Sequence, residues 1–494
     1  MRAVSDRLLK PLWLCGLFVG VFLRVNGGVC GQEAAAPPPK PIQPPAGKPV
    51  ADKAALEALV EDLGSPQFSR REAATDQLRF SGPAGLAVLR SAGNHPDPEV
   101  RRRALELTSP LEASLRLAPC RVSLERKSRT FRATLEALSK ASGYGIEAWN
   151  NLEQPIDFGC DNLPMLEVID QLGRITGTCI QQGYGDDRIR LGNGICPPLV
   201  AYDGAFRIVA NTLQQYRTID LTGADSTGPK RTETLTLGMA IFSEPRLPLL
   251  GVSEPRLLEA WSDDGQSLVP PFNEAPQMGG QVRRHVSRYG NGYRSQTQTA
   301  NLVLHRPAGS STRIRTLSAV VSCLVLVEQK QVPITTDLAQ SKGKMVEIGS
   351  TSFTIEEVTG LDGKPGQQIQ VKLAVREKNN DNPGDYTWMN SLYQRLELTD
   401  AAGMKFQNQG SSWGTSGPNF ATITFTFGPP IPQQPVAAAR ARLGGLILPA
   451  LLPGNNPAAP QPAKAVGPAS RLVYTTWETM DHQIPFTFKD LPLP

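Results

Sequence analysis

A helix–glycine–strand pattern that occurs twice constrains this chain more than any other feature. The pattern L-x-K-x-S-G-x-x-I at residues 138–146 recurs as L-x-R-x-T-G-x-x-I at residues 172–180, 34 positions later. In each copy the glycine suits the left-handed position that follows a helix, and an isoleucine comes three residues after it. The repeat therefore predicts two amphipathic helices that each end at a glycine and lead directly into a strand.

Short strands are predicted on both sides of these two helices. The strand-forming segments are residues 121–124, 145–149, 156–160, 179–184 and 188–191. Pro164 is placed to open the second helix, because a proline at the first helical position gives up no hydrogen bond. This order predicts a split βαββαβ unit at residues 119–196, with both helices on one face of a small mixed sheet.

The layout of residues 119–196 resembles the short N-terminal domain of secretins and TonB-dependent receptors. The resemblance rests on the repeated pattern and on Asp157-Phe158 before the second helix. In that family the module binds partner proteins and passes signals, so the resemblance implies that this module contacts other envelope proteins. A small α/β spacer without a ligand is the alternative, since a fold does not by itself define a function.

Residues 51–115 are predicted to form a short series of helices. Asp97 is placed to cap the last of them and Pro98 to occupy its first position. The helix openings at 70–74 and 99–104 correspond to each other, and with the D-P-x-V-R start at 97–101 the segment resembles a HEAT-like helical repeat. Its arginines either form a contact face or lie on a solvated helix surface.

The first 31 residues have the pattern of a secretory signal peptide. Basic residues precede an apolar run at residues 12–23, which is long enough for a signal core and too short to span a bilayer. Cleavage before Gln32 is expected, and Cys30 leaves a lipoprotein as the alternative. We therefore expect an exported protein, periplasmic or at the cell surface, with no transmembrane span in the mature chain. An uncleaved signal or Cys30 would tether it to the membrane.

Two proline-rich segments and the net charge limit the function further. Residues 32–50 contain seven prolines and are predicted to form an extended linker. Residues 429–468 contain ten prolines and are predicted to be a disordered insertion. The formal charge of the chain is +5, and without residues 1–31 it has 47 basic and 45 acidic residues. A chain so close to neutral offers no electrostatic basis for binding nucleic acid.

The remaining sequence has the residue composition of β-strands separated by turn residues. Residues 200–340 are predicted to form a β-rich domain with strands at 206–213, 232–241, 302–305 and 317–327. Residues 341–494 are predicted to form a β-sandwich, with strands at 345–348, 351–358, 368–375, 392–398, 421–427 and 472–477. The triplet E-P-R occurs at 244–246 and again at 254–256, and each copy predicts a turn.

The positions of the cysteines suggest one candidate disulfide within the chain. After residue 31 the chain has five cysteines, Cys120, Cys160, Cys179, Cys196 and Cys323. Cys179 and Cys196 flank a predicted hairpin at 185–188, so a disulfide between them is possible, with two small buried side chains as the alternative. The cysteines form no C-x-x-C pair and the histidines are scattered, so we expect no zinc site and no cofactor.

Two further segments contain candidate functional residues. The sequence Y-G-N-G-Y at 289–293 places Tyr289 and Tyr293 in a loop suited to sugars or peptides, or in a plain mobile loop. The sequence G-S-S-W-G at 410–414 matches the G-x-S-x-G elbow of serine hydrolases at Ser412, and Asp481 and His482 follow. Its flanks are typical of turns and strands, so we expect no enzyme.

The sequence thus predicts a multi-domain α+β chain. A short HEAT-like helical segment is followed by a small split βαββαβ domain and a C-terminal antiparallel β-sandwich region. This order resembles exported proteins of planctomycete-type bacteria. The expected function is protein binding or scaffolding in the cell envelope by a non-enzymatic exported protein, with other envelope proteins as partners. The alternatives are an envelope-polymer or carbohydrate-binding protein and, less favoured, a serine hydrolase that uses Ser412.

Overall fold

The computed structural model describes most of the chain after residue 51. The described residues are 52–181, 187–225, 228–270, 292–306, 311–361, 368–378, 380, 386–429 and 466–494. The predicted signal peptide, the proline-rich linker and most of the predicted insertion at 429–468 lie outside them. Within these ranges the fold is mixed α+β with antiparallel sheets, as predicted, and no helix there is long and apolar enough to cross a membrane.

The chain divides into two compact units, one ending at Thr108 and one spanning Ser109–Pro494. The first unit is helical, and its last helix continues past Thr108. Its helices are α1 (Lys53–Asp62), α2 (Phe68–Arg79), α3 (Gly82–Ala92) and α4 (Pro98–Arg116). The predicted start of α4 is confirmed, because the Asp97 carboxylate accepts a hydrogen bond from the Glu99 amide at 2.8 Å.

The two helix pairs are built in the same way, 30 residues apart. The Arg71 guanidinium of α2 donates to the carbonyl oxygen of Ser65 at 2.7 Å. The Arg101 guanidinium of α4 donates to the carbonyl oxygen of His95 at 2.5 Å, which is the same offset of six residues. Each arginine thereby fixes the loop that joins the two helices of its pair. These two arginines thus bond the helical unit's own backbone.

The following module begins the second unit. Its elements are β1 (Arg121–Thr130), α5 (Phe131–Ser142), β2 (Gly145–Ala148), β3 (Pro155–Pro164), α6 (Met165–Thr176), β4 (Thr178–Ile180) and β5 (Arg188–Asn193). The predicted helix ends are confirmed, because Gly143 and Gly177 follow α5 and α6 in the left-handed conformation with φ of 74° and 66°. A single hydrophobic core joins both helices to strands that include β5.

The prediction of one mixed sheet in this module is wrong. Among the described residues of the module, β1 pairs with β3, antiparallel, whereas β2 and β4 pair with β5, so these strands form two separate sheets. β2 and β5 are parallel, whereas β4 and β5 are antiparallel. The β1–β3 ribbon has a register shift between Leu124 and Lys127, and such a bulge bends a ribbon out of line with its neighbours.

The rest of the second unit is mainly β. Its elements are β6 (Val200–Asp203), β7 (Phe206–Asp225), β8 (Gly228–Ser243), β9 (Leu249–Val252), β10 (Arg256–Ser262), β11 (Thr297–His305), β12 (Arg313–Thr335), β13 (Met345–Ile348), β14 (Thr351–Thr359), β15 (Ile369–Glu377), α7 (Thr387–Arg395), β16 (Leu396–Asp400), β17 (Gln407–Gly417), β18 (Phe420–Gly428) and β19 (Ala469–Pro492). The predicted strand at 392–398 is wrong in its first half. Met389 and Leu392 are buried at helical spacing, so α7 occupies that stretch.

One long ribbon joins the two β regions. β12 and β19 pair antiparallel from Arg313 opposite Pro492 to Thr335 opposite Leu472. One end of this ribbon packs into a core with β7, β8 and β11, and the other end packs into a core with β14, β15 and β18. The predicted boundary at residue 340 therefore separates two cores that share the same pair of strands.

Candidate functional site

The two cysteines proposed for a disulfide are both free thiols in the structure. Cys179 lies in β4 opposite Gly192 of β5. Cys196 lies after β5, with its Sγ 3.2 Å from the carbonyl oxygen of Thr178. Burial raises the pKa of the Cys196 thiol, with a smaller contribution from Asp170. The disulfide stays a prediction that oxidation of the purified protein would test.

Of the two candidate loop tyrosines, Tyr289 lies outside the described residues. Tyr293 is 42% exposed and follows Gly292, which has a φ of 72°. Gly292 lies so close to α7 that a Cβ atom there would be 2.6 Å from the carbonyl oxygen of Thr387. Only a glycine fits both the conformation and the space. The segment that carries Tyr293 therefore packs directly against α7.

Ser412 lies inside β17, where it is exposed and opposite Thr424 of β18. A serine nucleophile needs a strand-to-helix turn that presents its oxygen beside an oxyanion hole, and β17 is an antiparallel strand. Asp481 and His482 are consecutive in β19, so their side chains leave opposite faces of the strand. The His482 ring already stacks on Phe206 at 5.2 Å. This geometry gives no support to catalysis by Ser412.

A groove of about 500 Å³ lies between α1 and α3 in the helical unit. Its floor is apolar, because Leu56, Val60 and Val88 are buried along it. Small side chains of α3 leave the space open, namely Ala84, Ala87, Ser91 and Ala92. No sequence pattern in the apolar spacing of α1 distinguished this groove. The sequence feature that could have indicated the groove is the run of small residues in α3, which reads G-P-A-G-L-A-V-L-R-S-A.

The rim of this groove carries more acidic than basic groups. Glu57 pairs with Lys53 at 3.5 Å, and Glu61 accepts from the His95 ring at 3.2 Å. His95 Nδ1 accepts from the Asp97 amide, so its proton lies on Nε2, which faces Glu61. Against the two carboxylates of Glu57 and Glu61, Lys53 is the one lysine or arginine that lines the groove. An apolar floor with an acidic rim suits an apolar segment that also carries a cation.

Two buried polar contacts join the small α/β module to the β region. In the first, the Asp170 carboxylate of α6 accepts from Arg207 Nε of β7 at 2.6 Å, and both side chains are 2% exposed. Tyr202 OH donates to the same carboxylate oxygen. Burial and then Asp170 raise the pKa of Tyr202, which keeps its hydroxyl as a donor. The Arg207 guanidinium also lies over the Phe242 ring at 4.9 Å.

The second contact is centred on Glu244, in the turn after β8. Its carboxylate is buried and accepts from the Cys120 amide at 2.9 Å and from Tyr144 OH at 2.8 Å. Arg246 lies 3.5 Å away. Burial raises the pKa of Glu244, and these three partners lower it by smaller amounts. The first E-P-R triplet therefore forms a turn, as predicted, and its glutamate holds the module in place.

Replacing Glu244 by glutamine is expected to change how stability depends on pH. Because the folded pKa exceeds the ordinary value of 4.5, folding takes up a proton between these two values, and stability falls as pH rises through that window. Glutamine keeps an acceptor for Cys120 and Tyr144 and does not titrate. The difference in unfolding free energy, from urea titrations between about pH 4 and about pH 8, should shift in favour of Glu244→Gln as pH rises.

The second E-P-R triplet provides the control for this experiment. Glu254 is exposed, so Glu254→Gln removes one surface carboxylate without altering a buried contact. The role assigned to Glu244 would be contradicted if the free energies of unfolding of Glu244→Gln and the wild type differed by the same amount at every pH in this range.

The described residues contain no group of three or more His, Cys, Asp or Glu side chains placed to hold a metal ion. The site therefore consists of an apolar groove with an acidic rim in the helical unit. In the second unit, two buried polar contacts lie between the α/β module and the β region. Comparison with protein-family models, with curated proteins and with solved structures found no match.

Proposed function

We propose that this chain is an exported, non-enzymatic scaffold that binds a partner protein through the α1–α3 groove. The observation that carries the proposal is the groove itself, an opening of about 500 Å³ with an apolar floor between two helices. Grooves of this kind bind an amphipathic helix through apolar residues spaced by three or four positions. The acidic rim favours a partner helix with a lysine or arginine beside those residues.

The proposed domain layout is that of the sequence prediction. The 30-residue correspondence between the two helix pairs supports a HEAT-like segment at 51–115. The glycine-terminated helices α5 and α6, each followed by a strand, support a module of the secretin and TonB-receptor type at 119–196. The sheets around the two shared cores support sandwich packing at 200–340 and 341–494. In this proposal the second unit acts as a rigid platform.

Deleting residues 119–196 would be a poor test of the proposal. The deletion removes Asp170 and Tyr144, which bond Arg207 and Glu244 of the β region, together with the surface that buries these two side chains. The β region would then expose surface that is buried in the intact protein, and loss of buried apolar surface destabilises a protein. Loss of a partner after the deletion would then report misfolding as readily as lost binding, so substitutions in the groove are preferable.

The substitution Ala87→Trp is expected to block the groove. Ala87 lines the groove and is exposed, so an indole there fills the space without disturbing the buried floor. After crosslinking in cells, a tagged pull-down should recover about ten-fold less of the partner that the wild type captures. Ala58→Trp is the control, because Ala58 is exposed on α1 and does not line the groove. Equal recovery with both variants would overturn the proposal.

A further inference from the structure

The outward face of α7 carries tyrosines. Tyr386 immediately precedes the helix and Tyr393 lies seven residues later, with Asn390 between them on the same side. Tyr386 is 44% exposed and Tyr393 is 42% exposed. Two other residues of α7, Met389 and Leu392, are buried in the second β core. The exposed rings of Tyr386 and Tyr393 therefore belong to a helix that packs against the second β core.

A third tyrosine is brought to the same helix from a distant part of the sequence. The segment that contains Tyr293 runs along α7, with Gly292 against Thr387 near the start of the helix. Near its end, Gln394 accepts from the Arg294 amide at 2.5 Å and donates to the Arg294 carbonyl oxygen at 3.1 Å. These contacts hold Tyr293 beside the helix. We refer to Tyr293, Tyr386, Asn390 and Tyr393 as the tyrosine face.

The strand next to this face is uncharged. Tyr393 OH donates to the carbonyl oxygen of Asn408 in β17 at 3.2 Å, which joins the helix to that strand. β17 reads Q-N-Q-G-S-S-W-G-T-S-G, without a charged residue, and residues 411–416 are all exposed. Trp413 is 45% exposed. The surface thus offers aromatic rings, amides and hydroxyls.

In the part of the chain that the structure describes, the cations close to the tyrosine face are paired or buried. The Arg294 guanidinium pairs with Asp187. The Arg395 guanidinium lies beneath the surface, stacked on the Tyr474 ring at 4.2 Å and on the Trp477 ring at 5.1 Å. Lys405 pairs with Glu397 at 2.8 Å. Polyanions bind through accessible cations, so this surface is poorly suited to an anionic polymer.

We propose that the tyrosine face binds a neutral polysaccharide. A sugar ring presents an apolar C–H face that an exposed aromatic ring covers, while its hydroxyls bond amides such as that of Asn390. Tyr386 and Tyr393 on one helix, with Tyr293 held beside that helix by backbone contacts of its segment, give several rings in one place, which favours an extended chain of repeated units. The proposal concerns a different surface and a different ligand class from the α1–α3 groove, and each can fail without the other.

The test is sedimentation of the full-length protein with two insoluble neutral polysaccharides, a β-1,4-glucan and chitin, and with isolated cell walls. Binding to at least one neutral polysaccharide is expected, and Tyr386→Ala/Tyr393→Ala should weaken it about ten-fold. Tyr216→Ala is the control, because Tyr216 is an exposed tyrosine on β7, outside the tyrosine face. Thermal unfolding of each variant establishes that it is folded.

Three results would overturn the proposal. The first is no sedimentation with either neutral polysaccharide. The second is equal loss with Tyr216→Ala, which would mean that the face is not specific. The third is binding only to cell walls that disappears when the walls are treated with protease, which would assign the face to a protein ligand. Binding to a glucan or chitin should also be similar at about 0.05 and about 0.5 M salt, because no ion pairs are involved.

Discussion

Arg207→Met is expected to lower the free energy of unfolding of the second unit by about 3–5 kcal/mol. The substitution leaves the Asp170 carboxylate buried at 2% exposure without its cation. One of its oxygens, Oδ1, already lacks a hydrogen-bond partner. After the substitution, few hydrogen bonds therefore offset the free-energy cost of burying this carboxylate. Among the described residues, Tyr202 OH then remains as the side-chain donor to this carboxylate. Urea unfolding followed by near-ultraviolet circular dichroism measures the loss.

The double variant Asp170→Asn/Arg207→Met separates the ion pair from general packing. It removes both charges and leaves shapes close to the original, so it should be less destabilised than the sum of the two single variants. A measured cost for Arg207→Met of less than about 1 kcal/mol, with no coupling in the double-mutant cycle, would mean that this contact does not hold the α/β module on the β region.

Tyr474→Ala and Phe486→Ala are each expected to cost about 3–5 kcal/mol. Both residues lie on β19 and are buried, Tyr474 in the second β core and Phe486 in the first. Tyr474 also packs on Phe353, with ring centroids 4.7 Å apart. Because the β12–β19 ribbon belongs to both cores, both substitutions should shift the same cooperative unfolding transition.

This expectation is tested by following unfolding with tryptophan fluorescence and with far-ultraviolet circular dichroism on the same samples. Thr487→Ala is the control, because Thr487 is the exposed neighbour of Phe486 on the same strand. Two resolved transitions, with each substitution moving only one of them, would show that the cores unfold independently despite the shared ribbon.

The parts of the fold that depend on local signals could be predicted. Gly143 and Gly177 end helices because only a residue without Cβ readily adopts the left-handed conformation there, and this requirement is visible in the sequence. The same holds for Asp97, whose side chain caps α4. Such features involve neighbours within a few residues, so their chemistry can be read along the chain.

The parts that depend on distant contacts could not be predicted. Asp170 gives no sign in the sequence that it will meet Arg207, because only the docking of two modules brings them together. Glu244 was predicted as part of a turn, and its buried role follows from Cys120 and Tyr144, more than 90 residues earlier. β17 was missed because glycine and serine are poor strand formers, and pairing with β18 overrides that preference.

The most direct test of the central proposal is photo-crosslinking from the α1–α3 groove in cells. A photoreactive amino acid at Ala84, which lines the groove, should give an adduct whose partner peptide has a lysine or arginine beside apolar residues. The same probe at Ala58 should not give it. Glu57→Lys/Glu61→Lys should abolish the adduct, whereas Asp76→Lys/Glu106→Lys, which changes the charge equally at two exposed acids outside the groove, should preserve it. Identical adducts from both probe positions, or an adduct insensitive to reversal of the rim charge, would contradict the proposal.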